Sequence, residues 1–127
     1  MARLTIRIDF EDAEGFGPGK ARLLELIEEL GSIRSAAAAM NMSYRHAWLL
    51  LQSVEDTFGA PVISTATGGA RGGGAKLTDL GRTVLARYRA IEAQAVRATT
   101  GELSELTKAA TASGGEQTAK RRGRSER

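Results

Sequence analysis

Residues 31–50, GSIRSAAAAMNMSYRHAWLL, contain two helix signatures separated by a tight turn. One helix is predicted to begin after a Ser32 cap and the next after a Ser43 cap. The small side chains of residues 36–39 allow two helices to approach closely, and Asn41 suits the left-handed backbone conformation of a turn. This arrangement meets the physical requirements of a helix-turn-helix, although plain packing of two helices is an alternative.

Two further elements are predicted before this stretch. Residues 4–10 alternate apolar and polar side chains, which is typical of a strand with one face in the core. The inward side chains of that strand are expected to be Leu4, Ile6, Ile8 and Phe10. After turn-forming residues 14–19, residues 20–30 have the apolar spacing of a helix that starts near Pro18 and ends at Gly31. Its buried side chains are expected to be Leu23, Leu24, Ile27 and Leu30.

The chain after this stretch predicts a helix, a hairpin and a longer helix. Residues 44–58 form the next helix, with a buried stripe of Ala47, Trp48, Leu51, Val54 and Phe58. Apolar segments on either side of the glycine-rich residues 68–74 predict a hairpin. A long helix capped by Thr78 follows, and its apolar pattern weakens towards Leu106. We therefore expect one domain over residues 1–112 and a disordered basic tail over residues 113–127.

Composition excludes several classes of protein. The 127-residue chain has no cysteine and a single histidine, His46, so it offers neither a disulfide framework nor the ligands of a zinc site. It has no run of about 18 apolar residues, and we expect a cytoplasmic protein without a membrane segment. Because no nucleophile has an assignable base, we do not expect an enzyme, and no cofactor is predicted.

The net charge of +3 is unevenly distributed. Residues 1–33 contain four basic and seven acidic side chains, whereas residues 34–97 contain eight basic and four acidic ones. The tail, residues 113–127, contains five basic and two acidic side chains. A polyanion such as DNA would therefore contact the middle of the chain.

The order helix, helix, hairpin, helix predicts a mainly α-helical winged helix-turn-helix with a small β wing and an N-terminal strand. In this fold the third helix enters the major groove of double-stranded DNA, and the wing lies at the backbone or minor groove. The candidate base-reading residues are Ser43, Arg45, His46, Leu49 and Ser53. Arg45 fits a guanine edge and Leu49 a thymine methyl group. The alternatives are a solvated charge for Arg45 and a core or interface position for Leu49.

The glycine-rich hairpin supplies a second set of candidate DNA contacts: Gly69, Arg71, Gly72, Gly73 and Lys76. Glycines let the backbone approach phosphates closely, and Arg71 adds charge. A nucleotide-binding phosphate loop does not fit, because Ala75 stands where that motif requires lysine and Leu77 where it requires serine or threonine. A flexible loop without a binding role is the remaining alternative.

Several motifs carry a resemblance to a known family. They are GPGK (17–20), GSI (31–33), MSYRxAW (42–48), TATGG with GGGA (65–69 and 72–75) and LTxxG (77–81). From about Leu4 to Val96 the chain resembles the N-terminal DNA-binding domain of ModE-type molybdate-responsive transcription regulators, which is related to the winged helix of LysR-type regulators. The resemblance implies DNA-reading roles for Ser43, Tyr44 and Arg45, and for the wing glycines with Arg71.

The same resemblance implies a homodimer formed through the long last helix, with the first strand nearby. Family members carry molybdate-binding barrels after this domain, and the residues after Val96 are too few and too polar for one. Molybdate sensing by this chain alone is therefore not expected. Two alternative functions are a winged helix that works with a separate oxyanion-binding protein, and a non-specific DNA-binding protein led by its basic tail.

Overall fold

The computed structural model describes residues 2–66 and 74–110. Of the described residues, those within 5–91 form one compact unit, and residues 2–4 with 92–110 belong to another. The predicted tail, residues 113–127, lies outside the described residues. The elements follow the order β1 (Ile8–Phe10), β2 (Ala13–Phe16), α1 (Pro18–Leu30), α2 (Ile33–Ala39), α3 (Tyr44–Phe58), β3 (Ile63–Ala66), β4 (Gly74–Leu77) and α4 (Asp79–Ala98). After Thr99 a further helix, α5, covers residues 100–110. The predicted winged helix-turn-helix architecture is confirmed.

The N-terminal strand is shorter than predicted and has a partner that the sequence did not reveal. β1 pairs with β2 in antiparallel fashion, with Ile8 opposite Phe16 and an irregular register before Phe10. The prediction of a turn from residue 14 was wrong, because part of that segment is β2. Phe10, predicted to face inward, is 37% exposed and meets Phe58 edge to face, with ring centroids 5.6 Å apart.

Helix α1 is the centre of the core. Pro18 occupies its first turn, and Gly31 ends it with a left-handed backbone (φ 71°), as predicted. The buried side chains of α1 are Ala21, Leu23, Leu24, Leu26 and Ile27. The prediction that Leu30 is buried was wrong, since this last residue of the helix is 47% exposed where the chain turns away at Gly31.

Helices α2 and α3 form the helix-turn-helix. Ser32 and Ser43 cap them, and Asn41 takes the left-handed conformation between them (φ 58°). The alanines at the crossing, Ala36, Ala37 and Ala47, are almost fully buried, so the two helices pack at close range. Trp48 was wrongly predicted to lie in the buried stripe of α3.

The wing, defined here as β3 and β4 with the chain between them, is attached to α1. β3 pairs with β4 in antiparallel register from Ile63 opposite Leu77 to Ala66 opposite Gly74. The Ala75 N–H donates to the Gly31 carbonyl (3.0 Å), and the Leu77 N–H donates to Oε1 of Glu28 (2.8 Å). The C-terminal end of α1 thus acts as a partner for the backbone of β4.

Helix α4 begins where the wing meets the core. The Thr78 hydroxyl accepts a hydrogen bond from the Gly81 N–H (3.1 Å), while the Thr78 N–H donates to the Val62 carbonyl (3.0 Å). Any Cβ at Gly81 would collide with that same carbonyl oxygen, which explains the glycine of the LTxxG motif. Further along α4, the Tyr88 hydroxyl donates to the Ile6 carbonyl (2.6 Å) and joins the helix to the N-terminal segment.

Candidate nucleic-acid interface

The outward face of α3 is defined by the helical period of 100° per residue. Ala47, Leu51 and Val54 lie on the buried side. The side chains opposite them are Arg45, Leu49, Gln52 and Asp56, and all four are exposed. We call these four residues the α3 stripe. Leu49 is 55% exposed, so it is not a core residue.

Gln52 is a candidate base-reading residue that the sequence analysis missed. It lies seven residues after Arg45 and three after Leu49, which places it on the same face of the helix. A glutamine amide can pair with an adenine edge through one donor and one acceptor. The helical period of α3 carries this signal, because Gln52 shares the face of Arg45 and Leu49 and its neighbour Ser53 does not.

Ser53 lies away from the α3 stripe and is engaged in the fold. Its hydroxyl accepts a hydrogen bond from Lys20 Nζ (2.8 Å) and donates to Glu14 Oε1 (3.3 Å). Lys20 also donates to the Gly15 carbonyl (2.8 Å), and its side chain is only 12% exposed. Ser53 therefore attaches α3 to α1 and β2, and we place Gln52 on the candidate surface instead.

The start of α3 positions the remaining predicted residues of this helix. The Ser43 hydroxyl accepts the His46 N–H (3.0 Å), which satisfies a free donor at the helix start and fixes the first turn. His46 is exposed at the edge of the α3 stripe. Tyr44 is 41% exposed and packs edge to face against Trp48, which is 37% exposed. Trp48 thus belongs to the outer surface of the helix-turn-helix.

The wing residues fall into two groups. Lys76 is exposed on β4, whose backbone is attached to α1. The other predicted contacts, Gly69, Arg71, Gly72 and Gly73, lie outside the described residues. The structure therefore describes the base of the wing and one of its cations.

Ion pairing separates the basic residues of residues 5–91 into two classes. Arg7, Lys20, Arg22, Arg82 and Arg89 each lie within 4 Å of a carboxylate. Among residues 2–66 and 74–110, no carboxylate is paired with Arg34, Arg45 or Lys76, which lie on α2, α3 and the wing, or with Arg87 on α4. Positive charge on the three elements of the candidate surface is therefore available for an anionic partner.

One carboxylate has a shifted pKa, and it lies away from this surface. The hydrogen bond from Arg22 lowers the pKa of Glu25, burial opposes this shift, and Arg89 assists it. Glu25 accepts from Arg22 at 2.9 Å and from Arg89 at 3.0 Å, so the Glu25 carboxylate joins α1 to α4.

Within the described part of the chain, no cluster of three or more acidic, histidine or cysteine side chains could hold a metal ion. None of the helices described there is long and apolar enough to span a bilayer.

Comparison with known proteins identifies the family. The model of the family described as bacterial regulatory helix-turn-helix protein, lysR family, matches residues 19–82, which are 64 of the 127 residues. The chain belongs to this family. The matched segment of this lysR-family protein contains the α3 stripe, both helix caps and the base of the wing.

Relatives of this lysR-family protein confirm the resemblance to ModE-type regulators. The molybdenum transport protein ModE of Azotobacter vinelandii is 38% identical over 92 residues, which cover 72% of this chain and 33% of that protein. The molybdenum-pterin-binding protein MopB of Rhodobacter capsulatus is 43% identical over 77 residues, covering 61% and 28%. The chain thus spans about a third of the length of these relatives.

A solved structure has a similar backbone. It is the crystal structure of a CbnR_DBD–DNA complex, with a TM-score of 0.52 and 22% identity. The match covers 71% of this chain and 95% of that one. This likeness establishes the winged helix-turn-helix fold. The lysR-family match identifies the domain with this fold as a regulatory DNA-binding domain.

Proposed function

We propose that this protein is a transcription regulator that reads a specific sequence in double-stranded DNA with the α3 stripe. The observation that supports this role most strongly is the exposure of Arg45, Leu49 and Gln52 on one face of a capped helix. Arg45 would contact guanine, Gln52 adenine and Leu49 a thymine methyl group in the major groove. The wing, with Lys76 and Arg71, would contact the backbone or minor groove.

The proposed active form is a homodimer that joins through α4. Ile91 and Val96 are large apolar side chains on this helix, and they are 43% and 45% exposed in the single chain. A partner helix would remove this apolar surface from water. A two-fold dimer would present two copies of α3 to successive major grooves of an imperfect palindrome. Sedimentation of the full chain measures this directly, and a monomer at micromolar concentration, both free and on DNA, would contradict it.

The decisive experiment for DNA reading is selection from a genomic fragment pool, followed by fluorescence anisotropy. We expect selected sites to bind more tightly than random DNA at moderate salt. Arg45→Ala should lose about 1–3 kcal/mol on the selected site and little on random DNA. Arg71→Ala should instead lower the salt slope by about one unit on both DNAs. Equal effects of the two variants on both DNAs would refute the division into reading and backbone contacts.

The selected fragments also test the biological role. The names of the two relatives refer to molybdenum, so we propose that the regulated genes serve molybdenum uptake or use. Fragments that lie beside such genes support this role, and a consistent set from unrelated genes contradicts it. The protein is expected to act in the cytoplasm, where its DNA lies.

Two other functions make different predictions. A winged helix that has lost DNA binding would show no affinity for any fragment and would co-purify with a small oxyanion-binding protein. A non-specific DNA-binding protein would lose all binding when residues 114–127 are deleted. We expect that deletion to weaken affinity through lost phosphate contacts and to leave sequence preference intact.

A further inference from the structure

Arg34, on α2, lies against an aromatic pair at the start of α3. Its guanidinium carbon is 4.2 Å from the centroid of the Tyr44 ring. The Tyr44 ring in turn meets Trp48 edge to face, with centroids 6.3 Å apart and planes at 86°. All three side chains are exposed, and none lies in the hydrophobic core. We call these three residues the aromatic ledge.

Arg34 in the aromatic ledge keeps hydrogen-bond donors that an anion could bind. The guanidinium carries five N–H donors in a rigid planar fork. This planar fork matches two oxygens of a phosphate. Within the described residues Arg34 has no carboxylate partner, whereas Arg7 and Arg22 both have one. The charge of Arg34 is thus held in position without being neutralised.

The position of the aromatic ledge connects it to the α3 stripe. Tyr44 is the first residue of α3 and precedes Arg45 in the chain. An anion bound by Arg34 would therefore lie next to the first turn of the helix that carries the base-reading side chains. On duplex DNA, the groups that flank base edges at the border of the major groove are backbone phosphates.

We propose that Arg34 binds a backbone phosphate of the DNA and that Tyr44 is a positioning residue that holds the Arg34 guanidinium for this contact. Trp48 contacts the Tyr44 ring edge to face. The inference rests on the proposed DNA-binding function and adds to it a contact from α2. Phosphate contacts position a protein on the duplex but carry no sequence information. Arg34 therefore sets the register of α3 in the groove, and Arg45 reads the base.

A double-mutant cycle in the full chain tests both roles. Anisotropy titrations are made from 50 to 200 mM KCl with Arg34→Ala, Tyr44→Leu, the double variant and Tyr44→Phe. We expect Arg34→Ala to reduce the salt slope by about 0.9, so that it loses about 3.5-fold less affinity than the wild type over this range. The reduction should be equal on selected and random DNA. Tyr44→Leu should weaken binding only while Arg34 is present, and Tyr44→Phe, which keeps the ring, should restore the wild-type salt slope.

Arg22→Ala is the matched control, because Arg22 is an exposed arginine that pairs with Glu25 on the side of α1 facing α4. Its salt slope should equal that of the wild type, and circular dichroism should confirm that each variant is folded. An unchanged slope for Arg34→Ala overturns the phosphate contact. Additive losses in the double variant overturn the positioning role of Tyr44. If the wild type binds no DNA, the proposed function itself fails, and that result is distinct from both.

Discussion

Replacing Glu28 with alanine should loosen the wing without changing any residue of β3 or β4. Oε1 of Glu28 accepts the N–H of Leu77 at 2.8 Å, and Leu77 is 1% exposed. In Glu28→Ala this N–H would lose its acceptor at the point where β4 packs on α1. A buried donor without a partner costs free energy, so we expect the unfolding free energy to fall.

The magnitude follows from three contributions. A hydrogen bond to a charged group contributes about 1.5–3 kcal/mol, and partial exposure of the Glu28 side chain (40%) places this bond at the lower end. The ion pair with Arg82 is longer, at 3.7 Å, and exposed, so it adds less than about 0.5 kcal/mol. The higher helix propensity of alanine offsets a few tenths of a kcal/mol. We therefore expect a net loss of about 1–1.5 kcal/mol, or about 4–12 °C in Tm.

Urea and thermal unfolding followed by circular dichroism measure this loss, and Glu28→Gln is the matched control. Glutamine keeps an acceptor oxygen for the Leu77 N–H and loses the charge, so it should cost less than half as much. DNA affinity should fall in Glu28→Ala at a temperature where the protein is still folded, because the wing is displaced. The reasoning is refuted if the two variants lose equal stability, or if Glu28→Ala loses none.

Three further predictions test other parts of the fold and surface. Gly81→Ala should cost about 2–3 kcal/mol in urea unfolding, because the new Cβ meets the Val62 carbonyl; an unchanged midpoint would contradict this close contact. The Arg22 hydrogen bond lowers the pKa of Glu25 in the folded protein. The contribution of the ionised Glu25 carboxylate to stability is therefore complete above its ordinary pKa of about 4.5, and it is lost as the pH falls through the lowered pKa. Unfolding of Glu25→Gln should therefore depend less on pH in the acid range than that of the wild type, and equal slopes would disprove the linkage. Trp48, the single tryptophan, should change its emission when DNA binds, and unchanged emission at saturation would place it away from the DNA.

The local signals of the helix-turn-helix could be predicted because they depend on neighbours within a few residues. A serine cap satisfies a backbone N–H three residues later, and the left-handed turn at Asn41 is a property of that residue type. The motifs that resemble ModE-type regulators cover these same positions. The family and the winged helix-turn-helix architecture could therefore be predicted from the sequence.

The contacts of individual side chains were less predictable. A helical period predicts the direction in which a side chain faces, but it does not predict the residue that the side chain contacts. Trp48 is apolar enough for the core, yet it is 37% exposed and packs against Tyr44 on the surface. Ser53 has a hydroxyl of the kind that often contacts DNA. That hydroxyl instead accepts a hydrogen bond from Lys20, which is 33 residues away in the chain. Such pairings depend on which elements meet, and local sequence does not specify that.

Residue types and their spacing thus determined the order of elements from α1 to α4, the caps of α2 and α3, the outward direction of Arg45 and Leu49, and the family. Tertiary structure alone decided that β2 pairs with β1, that Glu28 holds β4, and that Arg34 stacks on Tyr44. The physical reason is the range of the interactions. Caps and helical periods act over three or four residues, whereas these three contacts join groups that become neighbours only when the chain has folded.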